Sequence, residues 1–358
     1  MNRQMKSRAL IFASPPPPLG GVSSLVEMLI QSLAQNDAVV FESPLAKQDG
    51  LKNLLRPLVN LWRLALASRL VTRVLFFSSA GGSFYEKLAW LLLLRLVRRH
   101  AVIVMVDGNF PDFWNCMPRI TRLFARVLTI NTNVTIGVQS DQWRKYYQRI
   151  LPGANCVAIS ATVAQEFRER RVCREPSESS IVLYVGWMIA EKGVLDLLDA
   201  FQHLHGKCSH ARLRMVGPLF PGADYWQRQA EQRGIEEKVE FAGPIHDRQA
   251  LIHEFRSAEV FVLPSHAEGF PVAMLEAMSQ GLPCVGSSVG GIPDILDHGA
   301  AGVIVPPRNP TAIANALQIL LTDPSKRQAF SSIATERVHS EYTEAVFSSS
   351  YLKILNVK

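Results

Sequence analysis

Apolar residues recur along this chain in two rhythms. Short unbroken runs punctuate the first half at Ala9 to Ala13, Val74 to Phe77, Ala101 to Val106, Val134 to Val138 and Ala158-Ile159. Similar runs punctuate the second half at Ile181 to Gly186, Val260 to Leu263 and Val303 to Val305, with Leu213 to Val216 and Val239 to Gly243 each broken by one charge, Arg214 and Glu240. A brief run with no polar interruption fits a strand buried on both faces, the habit of parallel sheets. Between the runs the spacing changes, as from Val22 to Ile30, where apolar residues return at helical intervals. Asn309-Pro310 and Asp323-Pro324 mark two further helix starts, a capping side chain followed by a first-turn proline. Strand and helix alternate throughout, which predicts an α/β chain of two doubly wound, Rossmann-like domains facing a cleft. The polar, aperiodic stretch Arg168 to Ser180 reads as the linker. The expected division is a first domain over 1–165, a second over 178–342 and a last helical segment over 343–358. At 358 residues, each half is large enough to bury a core of its own.

One stretch concentrates the chemistry, Ser265 to Gly291. It follows the strand-like run Val260 to Leu263. Pro271 stands where a helix would begin, and Gly281 with Pro283 supplies the stop signal. Glu268 and Gly269 therefore fall in a strand-to-helix loop, and Glu276 falls inside the helix. At the crevice of an open α/β sheet, the free amides and positive dipole end of such a helix suit a phosphate. A carboxylate there accepts from two adjacent hydroxyls at once, and charge-assisted bonds of that kind are strong.

Charge and cysteine content narrow the setting. The net charge of +7 is unevenly spread: residues 1–165 carry 19 Lys/Arg against 8 Asp/Glu, residues 166–358 carry 19 against 23. Basic charge confined to one half points to an anionic partner there, a membrane or a phosphorylated acceptor. Two basic, apolar segments sit in that half. In Leu51 to Arg73, Lys52, Arg56 and Arg63 share one helical face opposite leucines and Trp62; in Glu86 to Arg99, Leu88 to Leu94 is flanked by Lys87, Arg95, Arg98 and Arg99. The seven apolar residues Leu88 to Leu94 fall well short of the roughly 20 a bilayer requires. Both fit helices lying on an anionic membrane surface, or helices covering a sheet with solvated arginines. The five cysteines show no paired spacing, which argues for a reducing cytoplasm and against disulfides or a zinc site. The basic N-terminus leads into a first strand and then a proline tract, unlike a signal peptide. The expected location is cytoplasmic, with peripheral membrane contact on the cytoplasmic face.

Other positions carry candidate chemistry. Gly20 and Gly21 lie at the first strand-to-helix turn, where glycines let a ligand approach the backbone or simply make the turn. Asp107 follows the strand Ala101 to Val106, either to bind a sugar hydroxyl or to cap its loop. After Ile181 to Val185 come Gly186, Trp187 and Lys192, the lysine suited to a phosphate as a point charge. Gly217 follows Leu213 to Val216.

The run E-G-F-P-V-A-M-L-E from Glu268 to Glu276, with G-L-P-C-V and V-G-G-I-P-D behind it, resembles the E-x7-E signature of retaining nucleotide-sugar glycosyltransferases of the GT-B fold, family 4. The resemblance is specific across 181–310 and weak across 1–165. It implies Glu268 and Lys192 at the reacting centre, Glu276 on the ribose, and Gly269, Phe270 and Val272 at the diphosphate. It further implies Gly186, Trp187, Gly217, Gly20 and Gly21 around the donor, Asp107 near sugar and acceptor, and a last helix that returns to the first domain. Three positions depart from the family. Trp187 stands where an arginine is usual, Asp107 where His-Gly is usual, and Ser160 where Asn-Gly is usual. The chain has no Asp-x-Asp, so neither divalent metal nor other cofactor is expected, and no nucleic acid. The implied partners are a nucleotide-sugar donor and a glycan or lipid-linked acceptor, to which the basic first half adds an anionic membrane. Two rivals stay open, a non-catalytic nucleotide-sugar-binding subunit and a nucleotide-sugar epimerase on the same scaffold.

Overall fold

The uninterrupted apolar runs become parallel strands. The computed structural model describes residues 9–13, 21–34, 39–42, 71, 73–130, 133–169 and 180–355. Packing divides the chain into one unit of Met1–Ala161 with Glu344–Lys358, and another of Thr162–Thr343.

In the first unit the strands are β1 (Ala9–Ala13), β2 (Val39–Glu42), β3 (Arg73–Ser78), β4 (His100–Met105), β5 (Val134–Val138) and β6 (Asn155–Ala158), in the order β2-β1-β3-β4-β5-β6. All are parallel, and Ala101 to Met105 and all of β5 are buried, as a sheet covered on both faces requires. The helix Gly82–Leu96 buries Phe84, Leu88, Trp90, Leu91 and Leu94. The apolar part of the Glu86–Arg99 segment is therefore largely a cover for the sheet, with Lys87 paired to Glu86 at 2.7 Å and resting over the Trp90 ring. The helix Arg119–Thr129 behaves differently, burying only Ala125, Leu128 and Thr129. The final helix, Glu344–Leu355, buries Phe347, Tyr351, Ile354 and Leu355, and the Ile354 carbonyl accepts from Arg73 Nη1 at 2.6 Å. Residues 51–70 and 72 of the basic stretch Leu51 to Arg73, residues 170–179 of the linker, Gly20 and Cys173 all lie outside the described residues.

The second unit carries β7 (Ser180–Val185), β8 (Ala211–Val216), β9 (Val239–Gly243), β10 (Val260–Leu263), β11 (Cys284–Ser287) and β12 (Gly302–Val305), all parallel, in the order β12-β11-β10-β7-β8-β9. Counted within the sheet this is 6-5-4-1-2-3, the order of dinucleotide-binding domains. The chain runs outward from β7 to β9, then starts again on the other side of β7 at β10. Loops leaving β7 and β10 therefore diverge, and a crevice opens at the carboxyl ends of those two strands. Helix starts are fixed by side-chain caps: Asp247 accepts from the Ala250 amide at 2.7 Å, Asn309 from Ala312 at 3.0 Å and Asp323 from Lys326 at 2.9 Å. Each such cap stabilises by about 1 kcal/mol.

Candidate functional site

The switch point between β7 and β10 is where the predicted residues of the second unit meet. The loop after β7 passes through Gly186 and Trp187 into a tight turn, Ala190–Lys192. Gly193 closes that turn at φ 67°, and a Cβ there would lie 2.1 Å from the Pro264 carbonyl oxygen. Only glycine lets the loop after β7 press this closely on the loop after β10. Lys192 Nζ consequently reaches across the switch point and donates to Glu268 Oε1 at 2.7 Å. The Glu268 side chain is only 7% exposed and that of Lys192 27%, so the carboxylate is buried and its cation stands at the rim. Ser265 Oγ, fully buried, donates to the same oxygen at 2.7 Å.

The loop carrying Glu268 is held from two further sides. His266 donates from its backbone to the Glu191 carbonyl at 2.8 Å, and from Nε2 to Asp196 Oδ2 at 2.5 Å. Gly290, at φ 55°, lies so close to the loop that a Cβ would be 1.8 Å from the Glu268 carbonyl oxygen, and Gly291 N donates to the Gly269 carbonyl at 2.9 Å. The V-G-G segment is thus the backbone clamp of the Glu268 loop.

The helix Val272–Ser279 begins directly beyond. Only Ala273 and Glu276 are half-buried rather than buried along it, three residues apart and so on one face. The Glu276 carboxyl sits deep beside that face, and burial pushes it up to about 7, with Arg248 pulling weakly the other way. A carboxyl raised by burial is an acceptor whose charged form still lacks enough partners, the state expected of a group that waits for ligand hydroxyls.

The remaining predicted residues fall as follows. Phe270 is buried and turns its ring toward Tyr342, with centroids 6.0 Å apart, which leaves its backbone for a ligand. Val272 is buried at the first position of its helix. Gly186 rests above the fully buried Tyr184, whose hydroxyl donates to the Trp187 carbonyl at 2.8 Å. Gly217 N donates to the Gly243 carbonyl at 2.9 Å, tying the loops after β8 and β9. Trp187 is 40% exposed and faces Phe220, itself exposed, at 5.5 Å between centroids. In the first unit, Gly21 opens the helix Gly21–Ala34, and Asp107 spends both oxygens on backbone amides, Oδ2 on Ala80 at 2.7 Å and Oδ1 on Asn109 at 2.8 Å. Ser160 N donates to Ser350 Oγ at 3.2 Å, inside the same unit. Ser265 and the His266–Asp196 pair escaped the sequence reading as side-chain partners, because Asp196 lies 70 residues away and nothing local signals the contact. Among the described residues no group of three His, Cys, Asp or Glu side chains could hold a metal ion.

Two doubly wound parallel sheets, the second with a lysine–glutamate pair at its switch point, define the class: the fold is GT-B. Residues 165–337 match the family described as glycosyl transferases group 1. A glycogen synthase of Mycobacterium tuberculosis is 32% identical over 247 residues, 69% of this chain and 52% of that protein. A D-inositol 3-phosphate glycosyltransferase of Corynebacterium glutamicum is 31% identical over 178 residues, 48% of this chain and 42% of that protein. The chain thus matches about half the length of these relatives. Among solved structures, a sucrose-phosphate synthase from Thermosynechococcus elongatus superposes with a TM-score of 0.79 at 18% identity, covering 98% of both chains. HepE of Anabaena in complex with UDP-glucose superposes at 0.74 with 18% identity, covering 97% of this chain and 99% of that one.

Proposed function

We propose that this protein transfers a sugar from a nucleotide-sugar donor to an acceptor hydroxyl with retention at the anomeric carbon. The observation that carries the reading is the Lys192–Glu268 pair at the β7/β10 switch point, with the raised carboxyl of Glu276 on the helix beside it. A nucleoside diphosphate laid across the carboxyl ends of these strands meets three complementary groups. Glu276 accepts from the ribose hydroxyls, the first amides of the helix Val272–Ser279 face the diphosphate, and Lys192 meets it as a point charge. Glu268, freed in part from Lys192 but still held by Ser265, then faces the hydroxyls of the sugar. As the bond to the sugar breaks, negative charge grows on the departing diphosphate, and Lys192 and the helix amides stabilise it there most strongly. The acceptor class we favour is a glycan or a lipid-linked saccharide.

The competing reading is a subunit that binds the donor without turning it over, favoured by one observation, an exposed tryptophan at 187 where the family carries a cation. UDP-glucose serves as the probe, since a neighbour of the same fold binds it. Calorimetry measures its binding, and release of UDP measures turnover. Binding that Glu276→Ala weakens, together with UDP release that Lys192→Ala abolishes, supports the transferase. Binding with no release, in the presence of lipid and glycan extracts, identifies the binding subunit.

A further inference from the structure

The helix Arg119–Thr129 wears its amphipathicity inside out. Its small residues Ala125 and Thr129, with Leu128, face the sheet, while Ile120, Leu123, Phe124, Val127 and, just past its end, Ile130 face solvent. Spacings of three, four and seven put these on a single stripe, and the exposure is large: 77% for Ile120 and 60% for Leu123. The neighbouring helix Gly82–Leu96 extends the patch with Leu96, 74% exposed, and Arg95 Nη1 ties the two helices by donating to the Val127 carbonyl at 3.2 Å. Scattered exposed leucines need no explanation, whereas a contiguous apolar patch marks a docking surface.

Charge decides what docks there. Residues 95–106 and 113–140 contain no Asp or Glu, yet they hold Arg95, Arg98, Arg99, Arg119, Arg122 and Arg126, while Lys87 is already paired with Glu86. Arg119 and Arg122 fall along one edge of the apolar stripe, where long stems can lie on apolar surface while guanidinium groups reach headgroup phosphates; Arg126, on the same edge, is tied down by donating from Nε to the Ile150 carbonyl at 3.0 Å. An apolar face bordered by cations and free of acids is the pattern of a helix that lies in a lipid interface. At 11 residues the helix is about 16 Å long, too short to span a bilayer, and among the described residues no helix is long and apolar enough to cross one. We propose that the stripe Ile120–Leu123–Phe124–Val127–Ile130, with Leu96 beside it, inserts into the headgroup layer of an anionic membrane and docks the first unit there. This goes beyond the glycosyl-transfer reading and does not rest on it.

The test is co-sedimentation of the full chain with vesicles of phosphatidylcholine alone or of phosphatidylcholine with phosphatidylglycerol. The expected result is pelleting with the anionic vesicles, weakened by salt. Replacing Ile120 and Leu123 by Asp should lower the vesicle-bound fraction at least about tenfold, since it removes insertion and adds repulsion. Arg119→Gln with Arg122→Gln should lower it less and flatten the salt dependence. Both target pairs are at the surface, so circular dichroism and UDP-glucose binding should match the parent and exclude misfolding. Failure to pellet with anionic vesicles, or pelleting that Ile120→Asp with Leu123→Asp leaves intact, overturns the proposal. A dimer in analytical ultracentrifugation that those substitutions disperse, without vesicle binding, would make the stripe a contact between copies of the chain.

Discussion

Each unit places a carboxylate just beyond the carboxyl end of a central strand, and the two are tethered by different chemistry. Asp107, two residues past β4, is bonded to the backbone amides of Ala80 and Asn109. Glu268, in the loop after β10, is bonded to side chains, the hydroxyl of Ser265 and the ammonium of Lys192. Amides cannot swing away, so Asp107 is a fixed tether joining the loops after β3 and β4. A lysine at the rim can turn to an incoming anion, so Glu268 is held in readiness rather than used up. The contrast extends to apolar surface. Among the described residues the first unit exposes Ile120, Leu123, Val127 and Leu96 in one patch, while the exposed apolar groups of the second, such as Trp187 and Ile319, are few.

The largest expected effect breaks the comparison on its functional side. Lys192→Ala should lower kcat for UDP release from UDP-glucose by about 10²–10³, the cost of removing one group aimed at developing charge. Its Kd should move far less, which calorimetry checks; a rise in KM at constant kcat would assign Lys192 to ground-state binding.

Next comes Glu276. Glu276→Ala should weaken UDP-glucose binding by about 2–3 kcal/mol, through loss of charge-assisted bonds to the ribose. Its pH dependence has a definite sign. The folded carboxyl titrates near 7 against an ordinary 4.5, so the free protein gains from protonation and loses stability as pH rises from about 4.5 through 7. Glu276→Gln should remove that slope in urea unfolding followed across pH. Bound hydroxyls prefer the charged form, so affinity for UDP-glucose should instead rise between about pH 6 and 8, and the same substitution should flatten it.

Asp107→Ala tests the structural side. Losing the acceptor for two backbone amides should destabilise the first unit by about 2 kcal/mol while leaving UDP-glucose binding unchanged. Unchanged stability with lost turnover would instead set Asp107 against the substrate. The smallest effect belongs to Trp187→Arg, which restores a cation on an exposed loop and should tighten donor binding by under about 1 kcal/mol.

The inner strands were legible because a strand buried on both faces writes itself as a largely apolar run, and β5 and β10 begin and end where their runs do, whereas no run was read at β2 or β11. The Glu268–Glu276 segment was legible because its signals are contiguous, a loop, a proline and a helix start within nine residues. What binds that segment was not. Ser265, Gly290 and the His266–Asp196 pair act through strand order, which places the loop after β7 against the loop after β10 and which no local pattern states. The helix Arg119–Thr129 shows a further limit. Periodicity reveals that a helix has an apolar face, but the face it turns to the sheet is decided by packing, and here the sheet takes Ala125 and Leu128 and leaves Ile120 and Leu123 outside.

The last helix has a consequence for how the chain is made. Glu344–Leu355 belongs with residues before Thr162, so the second unit is an insertion within a discontinuous first unit. Residues 162–343 can close their own sheet without the last helix, whereas the first unit is unfinished until Phe347, Tyr351 and Ile354 join it. Residues 162–343 expressed alone should therefore reach the protease resistance they have in the full chain, while residues 1–343 should keep a protease-sensitive N-terminal half. The unit read most easily from the sequence would be the first to mature.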